Sequence, residues 1–216
     1  MAGKRADLKK MLSTRLILAS ASPQRRKIFL GAGLRFEIAD PGDVEDAVTH
    51  AHTPEELALA KARAKARVIA SACSGPALVV GADTLVVVDG KVIGKPVDRT
   101  DAAAILSHLS GTRHRVLTGV CAMPIFSAQE TVRANGADRL EFCEVTLISM
   151  RRLSAAEIAA YVDSGEADGK AGAYGVQETG DKFIEHMDGS FLNVVGFPME
   201  KFRALLPDAL KSWGMS

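Results

Sequence analysis

A chain of 216 residues, 47% hydrophobic and 25% charged, carries apolar material enough for a sizeable core. A formal net charge of +1 excludes the extended basic field of a duplex-binding protein, and 5% aromatic residues leave little with which to stack single-stranded bases. Cys73, Cys121 and Cys143 are scattered and form no CxxC pair, which reads as thiols in a reducing compartment, not a disulfide frame or zinc site. With no apolar run long enough for a membrane span, the expectation is a cytoplasmic protein that binds neither nucleic acid nor membrane.

Residues 1–14 form a basic tail, and a single domain is expected over 15–216. A first strand over 16–20 runs into Ser20, Ser22 and Pro23. Ser22 suits an N-cap and Pro23 the first helical position, so a helix is expected over 23–32, stopped near Gly31 and Gly33. Arg25 and Arg26 stand in its first turn, where the helix dipole favours acidic residues. Basic side chains beside unpaired first-turn amides point to a bound anion, most simply a phosphate.

A second strand is expected over 34–39, followed by a Pro/Gly/Asp-rich loop to about His52. Thr53-Pro-Glu-Glu56 is a capping box that opens a long Ala/Lys/Arg helix to about Ala72. Arg63, Lys65 and Arg67 read there as solvent-facing. The continuous apolar run 77–82 predicts a central strand buried on both faces, extended by 84–88 to a hairpin at Asp89-Gly90. Asp83 stands at the end of the buried apolar run, where ligands collect in open α/β sheets, with a turn or cap acid as the alternative. An acid there is costly unless solvated, paired or bound to a metal, which makes it the best candidate for a general base or metal ligand. Lys95, on the turn Ile93-Gly-Lys-Pro96, suits a point charge directed at phosphate.

A short helix is expected over 100–110, then two long strands over 113–126 and 138–150 with Asn135-Gly136 between them. Ser154-Ala-Ala-Glu157 is a second capping box, starting a helix to about Ser164. Gly165–Gly180 is glycine-rich and expected to be irregular. Within it Gln177 offers both a donor and an acceptor to a base edge. Residues 182–186 and 191–195 read as a last strand pair, and Pro198 opens a C-terminal helix. The alternation of strands and helices with a long hairpin predicts an α/β fold with a mixed sheet. A P-loop is absent, and Gly31-Ala-Gly33 follows a helix instead of a strand, so no dinucleotide fingerprint is present.

The motifs Ser20-x-Ser22-Pro-x-Arg25, Gly81-Ala-Asp83-Thr84, Gly94-Lys95-Pro96, Lys170-Ala-Gly-Ala-Tyr-Gly-Val-Gln177 and Gly189-Ser-Phe-x-Asn-Val-Val-Gly-Phe-Pro198 occur in order from about Leu16 to Leu206. Together they resemble the Maf-like nucleoside triphosphate pyrophosphatases. The resemblance implies an elongated mixed sheet flanked by helices, with two lobes around a deep cleft, as in the inosine-triphosphate pyrophosphatases. It implies hydrolysis of a nucleoside triphosphate to the monophosphate and pyrophosphate with a divalent cation, Mg²⁺ or Mn²⁺, in a protein compatible with a homodimer. It assigns catalysis to Asp83 and phosphate binding to Ser20, Ser22, Arg25, Lys61 and Lys95, with Arg26 beside them from the helix-start reading. Glu45 joins Asp83 as metal ligand, although the spacing of Asp43-Val-Glu-Asp46 leaves Asp43 and Asp46 as alternative matches.

Base selection falls on Gln24, Thr84 and Gln177. The branch resembling dTTP/UTP pyrophosphatases carries Arg, Thr and Gln there, whereas the 7-methyl-GTP branch carries Trp first and Glu last. Thr84 and Gln177 match the pyrimidine branch and Gln24 matches neither, so dTTP and UTP are the expected substrates, with a broader or 7-methyl-GTP-type range left open. A non-catalytic nucleotide-binding regulator of septum formation is the alternative from another class.

Overall fold

The computed structural model describes residues 14–48, 51–126, 139–177 and 179–215. The expected basic tail, apart from residue 14, and the Asn135-Gly136 turn lie outside the described residues. In chain order the elements are β1 (Arg15–Ala19), α1 (Pro23–Gly31), β2 (Glu37–Ala39), a 3-10 turn (Val44–Ala47), α2 (Pro54–Ala72), β3 (Ala77–Val88) and β4 (Lys91–Ile93). Then follow α3 (Arg99–Leu109), β5 (Arg113–Ile125), β6 (Leu140–Met150), α4 (Ala155–Asp163), β7 (Ile184–Asp188), α5 (Phe191–Val195) and α6 (Met199–Trp213).

The strands form one mixed sheet in the order β2-β1-β3-β5-β6-β7, with β4 also on β3. β2, β1 and β3 run parallel, and the remaining pairs are antiparallel. β3 and β5 are its spine. Apolar and buried along nearly their whole length, they pair from Ala77 opposite Ile125 to Val87 opposite Arg115. The β3–β4 hairpin turns at Asp89 and Gly90, both at positive φ, as a tight turn of this twist requires.

One face of β3 and β5 supports two separate apolar clusters. Leu18, Phe29, Val80, Val120, Phe197 and Phe202 build the first, and Val86, Leu106, Val116, Ile148, Tyr161 and Phe183 the second. Thr84 and Thr118, paired opposite one another, sit at the seam between them. The other face is covered by α2, whose Ala58, Ala62 and Ala66 press onto the strands. A Cβ added at Gly81 would lie 2.4 Å from the Ala62 carbonyl oxygen, and one at Gly119 equally close to that of Ala58. Nothing bulkier than glycine fits beneath the helix at this approach.

One register detail creates the cleft. β1 pairs with β3 only as far as Ala19 opposite Gly81, and β4 takes up that edge only from Ile93 opposite Val86. Among the described residues no strand pairs with 82–85 on that side, and the chain leaving β1 turns there into α1. A ligand site beyond the carboxyl end of a parallel strand is the usual outcome of such an arrangement.

The last expected strand pair is corrected. Its first strand lies at Ile184–Asp188, antiparallel to β6, but Phe191–Val195 is the helix α5. The Ser190 Oγ accepts the Asn193 N–H at 3.1 Å and caps the turn, while Gly196 at φ 128 ends it. A side-chain cap of this kind outweighs the strand preference of Phe and Val over so short a run.

Candidate active site

The start of α1 forms as its sequence requires. Pro23 occupies the first turn, the Ser22 Oγ accepts the Arg25 N–H at 3.4 Å, and the Ser20 Oγ accepts the Ser22 N–H at 3.2 Å. Arg25 folds back beneath the helix end. Its Nε donates to the Gly196 carbonyl at 2.8 Å, Nη1 to the Ser20 Oγ at 3.2 Å and Nη2 to the Thr84 Oγ1 at 3.1 Å. Burial pulls the Arg25 guanidinium below its ordinary pKa, and the negative charges of Asp83 and Glu45 oppose that pull. A guanidinium keeps its charge in proteins, so a desolvated cation stands on the cleft floor beside helix amides.

Arg26 does not share this place. Successive helical side chains are about 100° apart, and Arg26 points to solvent. Among the described residues, those lining the cleft include Arg25 and not Arg26.

Across the cleft, Lys65 is held between two carboxylates. Its Nζ lies 2.7 Å from the Asp83 Oδ1 and 2.7 Å from the Glu45 Oε1. Glu45 sits on the 3-10 turn after β2. Burial by itself would raise its pKa, but the hydrogen bond from Lys65, a backbone hydrogen bond and the charges of Lys65 and Lys95 bring it below the ordinary value. The second oxygen of Glu45, Oε2, is buried with no hydrogen-bond partner among the described residues. A buried carboxylate oxygen left in this way suits a cation, and two carboxylates within reach of one point are hard oxygen donors of the kind Mg²⁺ and Mn²⁺ take. Among the described residues no cluster of three His, Cys, Asp or Glu ligands occurs. A divalent ion here would therefore complete its shell with substrate oxygens and water. Asp43 also lines the cleft and Asp46 does not, so of the open alternatives Glu45 is the residue joined to Asp83 through Lys65.

The expectation for α2 is corrected at this point. Lys61 does not line the cleft, whereas Lys65, read from sequence as solvent-facing, is 6% exposed and lies at its centre. The reason is geometric. The helix is pinned by its alanine stripe on Gly81 and Gly119, and residues four apart are displaced by about 40° around the axis and one turn along it. Lys65 lies beside Ala62 and Ala66 on the buried face. Lys61 stands in the same relation to Ala58 and Ala62, so no local signal in the sequence separates the two lysines.

The rim of the cleft, about 520 Å³ in volume, carries Gln24, Asp40, Lys95, Tyr174 and Gln177. Gln24 accepts a hydrogen bond from the Ser22 Oγ at 3.2 Å. The Gly172 N–H donates to the Gly94 carbonyl at 3.0 Å, tying the turn that bears Lys95 to the glycine-rich loop. Thr84 lines the cleft, but its hydroxyl already accepts from Arg25 and lies 2.9 Å from the Thr118 Oγ1, which donates to the Asn193 carbonyl at 3.0 Å. Thr118 and Asn193, both fully buried, brace Arg25 from behind; the sequence did not point to Thr118, and it placed Asn193 in a motif without a role.

A cleft of this size, cationic on its floor with paired carboxylates beside it, is built to take a phosphorylated small molecule. Residues 15–209 match the Maf-like protein family, and the chain belongs to that family. It is 40% identical over 189 residues to a dTTP/UTP pyrophosphatase of Syntrophomonas wolfei, covering 88% of this chain and 94% of that one. It is 42% identical over 195 residues to a dTTP/UTP pyrophosphatase of Anaeromyxobacter dehalogenans, covering 90% and 94%. Among solved structures, the Staphylococcus aureus Ham1 protein aligns at a TM-score of 0.44 and 12% identity over 90% of this chain and 98% of that one. Among the described residues no helix is long and apolar enough to cross a membrane.

Proposed function

We propose that this protein is a nucleoside triphosphate pyrophosphatase that converts dTTP and UTP to their monophosphates and pyrophosphate. One observation carries the reading: Asp83, Lys65 and Glu45 meet in a cleft whose floor is the buried Arg25 and the start of α1. Membership of the family, with relatives about 40% identical and named dTTP/UTP pyrophosphatases, supports the same reaction.

The chemistry follows from the charges. A triphosphate must be neutralised and held in line for attack at the α-phosphorus. Arg25, Lys65 and Lys95 line the cleft and supply cations, and Ser20 and Ser22 offer hydroxyls near the α1 amides. Asp83 accepts the proton of the attacking water as the bond between the α-phosphorus and the bridging oxygen breaks and pyrophosphate leaves. Lys65 fixes the orientation of that carboxylate through Oδ1. Asp83 and Glu45 would hold a divalent cation, which when bound offsets charge on the phosphates and the departing pyrophosphate. On the other side, the Gln177 amide matches a uracil or thymine edge, accepting from N3–H and donating to a neighbouring carbonyl.

Free thiols at Cys73, Cys121 and Cys143 support a cytoplasmic setting, and one sheet shared by all the described strands supports one domain over 15–216. The test is pyrophosphate release from dTTP, UTP, CTP, GTP, ITP and 7-methyl-GTP with Mg²⁺ and with Mn²⁺, beside Asp83→Asn. Turnover of dTTP and UTP that the variant loses is expected. Folded protein that binds nucleotide and turns over none of the panel would refute the proposal.

A further inference from the structure

The second polar anchor on β5 is unused by the chemistry above. His114 is 1% exposed, and its Nε2 lies 2.7 Å from the hydroxyl of Tyr174. The Thr112 Oγ1 donates to the Leu109 carbonyl at 2.7 Å, so its contact with the His114 Nδ1 at 3.4 Å places the proton on Nδ1. Nε2 is then the acceptor and the Tyr174 hydroxyl the donor.

Tyr174 follows Gly172 at φ 74 and Ala173 at φ 57. Alanine in the left-handed region is sterically costly, and such backbone persists where its surroundings over-determine it. Three hydrogen bonds and a close packing supply that restraint here. Gly172 donates to the Gly94 carbonyl and packs against Val86 so closely that an added Cβ would lie 2.9 Å from a Val86 methyl. The Gly175 N–H donates to the Tyr161 hydroxyl at 3.1 Å. The Tyr174–His114 bond joins this loop to the central strand. Gln177 stands only three residues further on, at the cleft rim.

β5 thus anchors both ends of the cleft from one face. Thr118 reaches Arg25 through Thr84, and His114 reaches the loop bearing Gln177 through Tyr174. The anchors lie four positions apart along the strand, about 13 Å. We propose that His114 and Tyr174 are positioning residues that set Gln177 at a fixed distance from the phosphate-binding floor, and so determine pyrimidine affinity and selectivity. This rests on the nucleotide reading above. A histidine that merely fills the core would weaken the whole protein without distinguishing the two ends of the ligand.

The test uses the full chain and the variants Tyr174→Phe, His114→Gln and their combination. It reads three quantities: hydrogen exchange of the 170–177 amides without nucleotide, KM and kcat for UTP and CTP, and inhibition by inorganic tripolyphosphate, which has no base. Loss of the bond in Tyr174→Phe is expected to speed loop exchange and raise KM for UTP about tenfold, with a smaller change in kcat. The preference for UTP over CTP should narrow, and tripolyphosphate inhibition should stay within about twofold. His114→Gln, whose amide can still engage the phenol, should recover part of the loss, and the double variant should be no worse than Tyr174→Phe. Equal weakening of UTP and tripolyphosphate, unchanged loop exchange, or faster exchange with unchanged KM would each overturn the inference while leaving the pyrophosphatase reading intact. Wild-type protein that binds no nucleotide would overturn both.

Discussion

Lys65→Met keeps the aliphatic stem in the packed face of α2 and removes only the ammonium. The Lys65 side chain is 7% exposed, those of Asp83 and Glu45 are 12% and 14%, and both contacts are 2.7 Å. Removing one partner of a buried ion pair costs about 3–5 kcal/mol, because the remaining charge is left uncompensated in a poorly solvated place. The cleft admits some water to both acids, so the lower end, about 3 kcal/mol, is expected near neutral pH. The pH dependence follows from Glu45. In the wild type its folded pKa is lowered, so it contributes stability above the ordinary carboxyl pKa of 4.5, lost as pH falls through the folded value. Without Lys65 only a backbone hydrogen bond and the charge of Lys95 still oppose burial, so the Glu45 pKa moves up, and the gap between variant and wild type should widen as pH rises through that region. Urea unfolding across pH 4 to 8 measures the gap. Lys61→Met, half-exposed and outside the cleft, should stay within about 0.5 kcal/mol at every pH. Equal losses in the two variants, or a pH-independent loss in Lys65→Met, would refute the bridging role.

Further outcomes follow from other parts of the fold. Burial pulls the His114 imidazole from 6.5 down to about 4, so between those values the unfolded chain takes up a proton that the folded chain refuses. Stability should therefore fall by about 3 kcal/mol as pH drops through that window, a component that comparing the unfolding profiles of His114→Phe and wild type would reveal by its absence in the variant. Gly119→Ala forces a methyl within 2.4 Å of the Ala58 carbonyl and must lift α2. A loss of about 3 kcal/mol in thermal or urea unfolding is expected, with turnover falling further because Lys65 moves with the helix. Thr118→Val removes the donor to the Asn193 carbonyl and the brace behind Thr84 and Arg25. It should cost about 1–2 kcal/mol and, unlike Tyr174→Phe, weaken tripolyphosphate inhibition as strongly as UTP binding.

Much of the site was legible because its residues are tied to local punctuation. The Ser22 cap and Pro23 place Arg25 at a helix start whatever the rest of the chain does, and an acid within the apolar run of β3 has to be paired or solvated. Lys95 and Gln177 lie on segments whose glycines and proline mark them as turns. Phe191–Val195 has strand-like composition; its helix starts at the adjacent Ser190 cap and is fixed by the burial of Asn193 against the Val116 carbonyl and Thr146, which are distant in sequence.

The sequence by itself determined the boundaries of most elements, the α/β class, the polar start of α1 and the candidacy of Asp83. Capping, periodicity and the cost of burying a charge act over a few residues and need no partner. Tertiary structure alone decided which lysine of α2 faces Asp83, which acid of the 43–46 loop joins it, and that Thr118 and His114 anchor opposite ends of one cleft. Those outcomes depend on the rotation and depth at which α2 settles on Gly81 and Gly119 and on where β1 and β4 leave the edge of β3 open. A shift of one helical turn separates Lys61 from Lys65, and only packing against another part of the chain selects between them.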